Sequence, residues 1–203
     1  MSRYGLIVDV DRCIGCYSCV VACKSENHTR PGISWIHIDE KEEGEFPKVS
    51  RTYTPVLCMQ CATMPCAEAC PMGAIFQDED GIVLVNEEQC RCGQSFCADA
   101  CPYSAIMINN GRQLYFEGEE NPEERAVYEA HRDGLAEKCT LCSHRLKEGE
   151  LPFCVQACPT KALLFGDLND PESEISRLVS SGKATPHKDD HTLDVSVFYM
   201  QDG

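Results

Sequence analysis

The chain has 203 residues, 16 cysteines and a formal net charge of −15. That length suits one compact domain or two small ones, and the acidic balance argues against nucleic acid or an anionic membrane surface as partner. The charge serves either solubility or docking to a basic partner. No apolar run reaches the roughly 18 residues of a membrane span. The start, MSRYGLIVDV, lacks the charged, apolar and small-residue regions of a signal peptide, so no address or anchor is expected in the chain itself.

Taken in order, the first element is a cysteine loop. Cys13, Cys16, Cys19 and Cys23 follow the spacing C-x2-C-x2-C-x3-C. The residues VVACKSEN predict a helix that stops near Pro31-Gly32. Cys23 then lies one turn beyond Cys19, about 6 Å along the axis and on the same face. The second loop holds Cys58, Cys61, Cys66 and Cys70, followed by Pro71. After it, Ala74–Gln77 predicts a strand, Asp80-Gly81 a turn, and Ile82–Val85 a return strand. The third loop holds Cys90, Cys92, Cys97 and Cys101, followed by Pro102. Ala105–Ile108 predicts a similar strand, turning at Asn110-Gly111. A long acidic segment, Gly111 to Glu137, reads as a solvated insertion or as a docking arm. The last loop holds Cys139, Cys142, Cys154 and Cys158, followed by Pro159.

Every cysteine belongs to a quartet, and every quartet ends in C-x3-C. The segments CPMGAIF, CPYSAIM and CPTKALLF repeat a unit of cysteine loop, short helix and strand. A disulfide scaffold would need a secreted context and gives no reason for four similar quartets. Zinc suits C-x2-C with a distant second pair, as in the 139–158 group, but not the third cysteine of 13-16-19. Haem attachment needs C-x-x-C-H, and no C-x-x-C here is followed by His. A cubane iron–sulfur cluster needs one thiolate per iron corner, and a tight loop can wrap three corners. In the ferredoxin run C-x2-C-x2-C-x3-C the fourth cysteine serves the other cluster. Cys23, pointing away from its own loop, fits that role. The first quartet therefore binds two clusters, and it is a variant of the repeat in which Lys24 replaces the proline.

The stretches CVVACKSENHTRPGISW, YTPVLCMQCATMPCAEACP and EKCTLCSHRL, with an ending DVSVFYM, resemble the iron–sulfur electron-transfer subunits of the dimethyl sulfoxide reductase family of molybdopterin enzymes. The resemblance covers nearly the whole chain. It implies an α+β fold of two ferredoxin-like halves with pseudo-twofold symmetry, short strands and helices around the clusters, and a C-terminal extension. Residues 1–50 with 133–170 would form the half with the outer quartets, and 51–110 the half with the inner ones. Residues 111–132 would be the acidic insertion and 171–203 the extension. It also implies four [4Fe–4S] clusters. Cluster one would take Cys13, Cys16, Cys19 and Cys158, and cluster two Cys139, Cys142, Cys154 and Cys23. Cluster three would take Cys58, Cys61, Cys66 and Cys101, and cluster four Cys90, Cys92, Cys97 and Cys70.

The implied partner is a large molybdenum- or tungsten-pterin subunit, with a further electron donor or membrane subunit in some assemblies. Such subunits are cytoplasmic or exported bound to a signal-bearing partner. The chain itself shows no nucleophile paired with a base, no P-loop and no dinucleotide motif, so it is read as non-catalytic. A free-standing polyferredoxin shuttle and a structural zinc protein are the alternative readings. YTPVLCMQC and CSHRLKEGELPFCVQACP are similar to small subunits of respiratory arsenate reductases. EDGIVLVNEE and the altered third quartet are similar to those of enzymes that move or remove aromatic hydroxyl groups.

Local chemistry adds three expectations. Only Arg91 separates Cys90 from Cys92 where the family has two residues, so cluster four is expected to be the most labile, with Gly93 absorbing the turn. Backbone N–H groups at Ile14-Gly15 and Met59-Gln60 are expected to face sulfur. Lys24, Lys138 and Arg145 flank cysteines, where a cation raises a cluster potential or simply pairs at the surface. Trp35 is expected to pack in the core rather than relay electrons.

Overall fold

The computed structural model describes residues 2–91, 93–110, 115, 121–187 and 193–201. Its fold is α+β, with small sheets and short helices. The first strand, β1 (Tyr4–Asp9), is an almost uninterrupted apolar run, and Leu6, Ile7 and Val8 are wholly buried. A strand buried on both faces needs cover on both, and β1 has it. Leu6 and Val8 join the core that contains Cys19, Cys23, Cys58, Cys139, Cys154 and Cys158. Ile7, one residue out of phase, packs with Ile175 and Ala184 on the other face.

Five helices carry the cysteine loops: α1 (Ser18–Glu26), α2 (Pro65–Glu68), α3 (Phe96–Asp99), α5 (Ser143–Lys147) and α6 (Phe153–Ala157). Between α1 and α2 lies a two-stranded hairpin of β2 (Ile36–Glu45) and β3 (Lys48–Leu57). The cysteine spacings gave no hint of it, and it runs across the expected boundary at residues 50 and 51. Its base, Ile36 against Leu57, is buried, whereas its far end projects, with Phe46 93% exposed.

The hairpin expected after the second quartet is present as β4 (Ile75–Gln77) and β5 (Val83–Val85), paired antiparallel. After the third quartet, β6 (Met107–Ile108) pairs instead with β7 (Ala136–Glu137), at the far end of the acidic segment. The return strand comes late because the insertion lies between the two partners. Of that insertion, 111–114 and 116–120 lie outside the described residues, as does Gly111 of the expected turn. The rest includes α4 (Pro122–Ala130), which starts on a capping box between Asn121 and Glu124.

The stretch expected as a C-terminal extension contributes α7 (Glu174–Ser180), β9 (Thr185–Pro186) and β10 (Val197–Met200). With β8 (Leu163–Asp167) and β1 they make a four-stranded sheet in the order β8-β1-β10-β9. β10 runs parallel to β1 with Ile7 opposite Phe198, and β8 runs antiparallel with Leu6 opposite Phe165. Gly5 is required beside this seam: a Cβ there would lie 2.6 Å from both the Leu168 side chain and the Ser196 carbonyl. The Tyr199 hydroxyl, buried, donates to the Pro55 carbonyl at 2.9 Å and ties the last strand to the hairpin base. Tyr199→Phe leaves that carbonyl without its donor and is expected to cost about 1–3 kcal/mol. A lowered denaturant midpoint by far-ultraviolet circular dichroism checks this; an unchanged midpoint would mean that water replaces the hydroxyl.

Candidate iron–sulfur centres

Each quartet begins with a loop that must turn tightly enough to aim neighbouring thiols inwards. Gly15, Gln60 and Leu141 each sit just before the second cysteine of their quartet, with φ of 64°, 52° and 49°. A left-handed residue at this point reverses the chain between the two cysteines. For Gln60 and Leu141, which carry a Cβ, such a conformation costs about 1–3 kcal/mol and persists only where the surroundings enforce it. Gly15 has a second reason to be glycine, because a Cβ would meet the Tyr53 ring at 2.5 Å.

A second left-handed position follows each Cys-Pro. Gly73, Ser104 and Lys161 have φ of 59°, 51° and 56°. The next residue is alanine in all three cases. Its N–H donates to the last cysteine sulfur of the quartet: Ala74 to Cys70 at 3.4 Å, Ala105 to Cys101 at 3.5 Å and Ala162 to Cys158 at 3.3 Å. The repeat C-P-x-x-A is therefore a device for pointing one backbone donor at sulfur. Sequence reasoning found the repeat but not its purpose. The first quartet keeps the device by other means. There α1 continues past Cys23, and the Asn27 N–H is used to cap the helix, donating to the Cys23 carbonyl at 3.0 Å. Its side-chain Nδ2, also four residues after the cysteine, reaches Cys23 Sγ at 3.5 Å. Asn27 thus stands in for the alanine amide, and the absence of proline at Lys24 is what lets the helix carry it there. Further donors reach sulfur from Leu141 to Cys139 and from Ala136 to Cys90, both at 3.4 Å.

The structure gathers the cysteines around three small recesses. Cys13, Cys16, Cys19 and Cys158 line the first. Cys23, Cys139, Cys142 and Cys154 line the second. Cys58, Cys61, Cys66 and Cys101 line the third. Equal donor sets around three similar recesses call for the same guest in each. Cys70, Cys90 and Cys97 share a separate apolar cluster with Ala74, Ile106 and Ala136. Cys92, the remaining cysteine of that group, lies outside the described residues, while Gly93 beside it has a φ of 58°. None of the described cysteines is paired in a disulfide. Among the described residues no three Cys, His, Asp or Glu converge closely enough to hold a single metal ion, whereas a zinc site needs four ligands about 2.3 Å from one point.

Burial dominates the electrostatics. It pushes Cys19 up to about 11 and Cys23 up to about 12, with the neighbouring thiols adding to the effect. Cys61 and Cys66 rise to about 12 and about 11 for the same reasons. Burial raises Cys139 and Cys154 well above an ordinary thiol, again with neighbouring thiols adding to it. Thiols in such a place keep their protons unless a metal replaces them, which couples metal binding to proton release.

The flanking cations fall into three different settings. Arg145 makes the ion pairs expected of it, to Glu26 at 3.0 Å and Glu150 at 2.6 Å. Lys24 makes no ion pair among the described residues. Its Nζ donates to Thr29 Oγ1, the Arg30 carbonyl and the Ile33 carbonyl at 3.0, 3.0 and 2.7 Å, stapling the loop after α1. Lys138 is 1% exposed and also makes no ion pair among the described residues. Its Nζ donates to the Val83 carbonyl and, at 3.0 Å, to the Cys139 carbonyl. The acid next to it is engaged elsewhere: Glu137 accepts from Trp35 Nε1 at 3.0 Å and from Asn109, and pairs with His131 Nδ1 at 2.9 Å. Burial alone would raise the Glu137 carboxyl, and these partners overcome it and hold it below its usual range. Trp35, half-buried, is an anchor of this network. A buried ammonium with no carboxylate fits beside thiolate-ligated iron, whose net negative charge would balance it.

Four-thiol cavities on a mixed α+β scaffold, with amide donors aimed at sulfur, define a protein built for several iron–sulfur clusters. The 4Fe–4S dicluster domain matches residues 49–116 with 123–168, and a second dicluster domain matches residues 12–74. The iron–sulfur subunit of arsenate respiratory reductase from a Shewanella species is 37% identical, covering 98% of this chain and 96% of its own. A selenate reductase subunit of Mesobacillus selenatarsenatis is 38% identical over 96% of this chain and 70% of its own. A tetrathionate reductase subunit of Salmonella typhimurium is 38% identical over 87% and 63%. The chain belongs to the iron–sulfur subunits of the molybdopterin oxidoreductases, carries four [4Fe–4S] clusters and transfers electrons.

The sulfur-directed amide of Asn27 generates a prediction. Asn27→Leu removes one donor to the Cys23 sulfur, and a donor stabilises the more negative, reduced form of a cluster. The midpoint potential of the cluster beside Cys23 is expected to fall by on the order of 40 mV, the equivalent of about 1 kcal/mol for one electron. Potentiometric titration followed by electron paramagnetic resonance checks it, and an unmoved potential rejects the role.

Proposed function

We propose that this chain is the non-catalytic relay of a reductase, passing electrons along a row of four clusters to or from a large molybdenum- or tungsten-pterin subunit. Cluster one is held by Cys13, Cys16, Cys19 and Cys158, and cluster two by Cys23, Cys139, Cys142 and Cys154. Cluster three is held by Cys58, Cys61, Cys66 and Cys101, and cluster four by Cys70, Cys90, Cys92 and Cys97. The observation that carries this reading is the sharing of cysteines between three similar recesses by single turns of helix. Cys19 and Cys23 sit on α1 and line different cavities; the last two cysteines of each other quartet likewise have three residues between them.

A [4Fe–4S] cluster accepts and releases single electrons, and its potential follows charge, hydrogen bonding and solvent access. The chain's own residues control all three. They bury most of the thiols, aim amides at sulfur and keep neighbouring sites in contact. Clusters one and two share α1, clusters three and four share α2 and α3, and Cys58 and Cys139 lie in one buried core across the middle. The row therefore runs one, two, three, four. This order, with the outer quartets in one half and the inner quartets in the other, is the arrangement of two ferredoxin-like halves about a pseudo-twofold axis. At one end Cys16 is exposed and Ile14 is 61% exposed, which brings cluster one to the surface for exchange with a partner.

The partner's reaction is proposed as reduction of an oxyanion. The relatives named above serve arsenate, selenate and tetrathionate reductases, and the arsenate subunit is alike over nearly its full length. Among the described residues no helix is long and apolar enough to cross a membrane, so the chain is taken to share the compartment of its catalytic partner.

Two outcomes are expected. Anaerobically purified protein should hold about 16 iron and about 16 sulfide per chain, four of each per cubane; values near eight would reject two of the clusters. Cys23→Ser should abolish the resonance of the cluster at Cys139, Cys142 and Cys154 and spare the one at Cys13, Cys16 and Cys19. Loss confined to the latter contradicts the shared helix. Co-purification with a molybdenum- or tungsten-containing chain separates a subunit from a free shuttle.

A further inference from the structure

Clusters two and three meet where the two pairs of quartets come together, and the contact is built from few groups. The Cys139 carbonyl accepts from Gln60 Nε2 at 2.8 Å and from Lys138 Nζ at 3.0 Å. Gln60 is wholly buried, and its Oε1 accepts from the Val83 N–H at 2.7 Å. The Val83 carbonyl, in turn, accepts from Lys138 Nζ. Val83 lines the cavity of Cys58, Cys61, Cys66 and Cys101, and Gln60 immediately precedes Cys61. Lys138 immediately precedes Cys139, which lines the neighbouring cavity. One closed set of hydrogen bonds therefore spans both sites, with a single ammonium at its centre.

That ammonium acts more on one side than on the other. Its Nζ reaches across to the Val83 carbonyl, on a residue that lines the site of Cys58, Cys61, Cys66 and Cys101. At cluster two a second lysine, Lys24, directly follows Cys23 and adds its own charge. The two lysines differ in strength of coupling. Lys24 is half-buried, so water screens it; Lys138 is wholly buried, without a carboxylate among the described residues, in a medium where a charge acts over a longer distance. Arg12, the cation near cluster one, is exposed and paired with Asp9 at 3.1 Å.

We infer that Lys138 is the positioning residue that sets the potential of cluster three, raising it above the value its burial would give and holding the transferred electron at the middle of the row. A fixed positive charge favours the form of the cluster with one more electron. Burial without that charge favours the other form. Lys138 also balances the thiolates when the site is loaded, so the cation and the cluster stabilise each other. The inference rests on the four-cluster reading and adds to it the residue that grades the potentials.

The test uses the whole chain bound to its catalytic partner. Lys138→Gln removes the charge and retains two N–H donors for the Val83 and Cys139 carbonyls. Lys138→Arg retains the charge. Iron and sulfide are measured first in each variant, so that loss of a cluster is separated from a change in its potential. With full iron content, Lys138→Gln is expected to lower the midpoint potential of cluster three, with clusters one and four unmoved and cluster two moved less. Lys138→Arg is expected to keep the potential near its original value. A potential unchanged in Lys138→Gln overturns the inference. So does an equal shift in both variants, or loss of cluster three in both, because either would make Lys138 a packing residue whose charge is incidental. Loss of the cluster in Lys138→Gln alone supports it, since the site then needs the charge to hold its thiolates. An iron content of about eight in the unaltered protein would instead reject the four-cluster reading itself.

Discussion

A single turn of helix carries the organisation of this protein. Three residues between two cysteines place both thiols on one face, about 6 Å apart along the axis. That is close enough for rigid coupling and too far for both to serve one corner of the same site. On α1 the consequence is visible: Cys19 faces the cavity of Cys13 and Cys158, and Cys23 faces the cavity of Cys139 and Cys154. Because the link is a helix, the spacing between neighbouring sites cannot drift. The sheet, the hairpin and the C-terminal strands serve to hold these short helices against one another and to keep water away.

Small helices of four or five residues do not stabilise themselves. α2, α3 and α6 are of this length, and their stability comes from what surrounds them. The central strand β1 buries its two faces against different layers, one containing the thiols and one containing α7. The left-handed turns at Gln60, Leu141, Ser104 and Lys161 are strained conformations that the loaded sites would help to maintain. Metal binding and folding are therefore expected to be strongly coupled, with raised thiols giving up protons as the sites fill.

The same surroundings grade the electrostatics. The described cysteines occupy closely similar loops, yet the polar groups near them differ. Amides from alanine serve Cys70, Cys101 and Cys158, whereas a side-chain amide serves Cys23. Lys24 is tied to carbonyl oxygens at the edge, and Lys138 is sealed inside. A repeated ligand pattern with unrepeated neighbours is how one chain can hold four chemically alike clusters at unlike potentials.

The cysteine spacings alone determined the class of cofactor, the division into quartets and the helical link between them, because ligand spacing on a helix is a local property. They also contained the C-P-x-x-A repeat, although its role as a sulfur-directed donor appears only when Gly73, Ser104 and Lys161 are seen to be left-handed. The tertiary structure decided the rest. The hairpin of β2 and β3 has no cysteine to mark it, and its strands are held by pairing with each other. The pairing of β6 with β7 skips the acidic segment, and β10 finds β1 from the far end of the chain; both are long-range contacts with no local signal. Lys138 reads as an ordinary charged residue beside a cysteine, and Arg145, three residues past another, reads the same way. One is buried without a carboxylate partner among the described residues, and the other is paired with Glu26 and Glu150. The difference lies in which segments pack over each, and only the folded chain brings Val83 and Gln60 to Lys138 and Glu26 to Arg145.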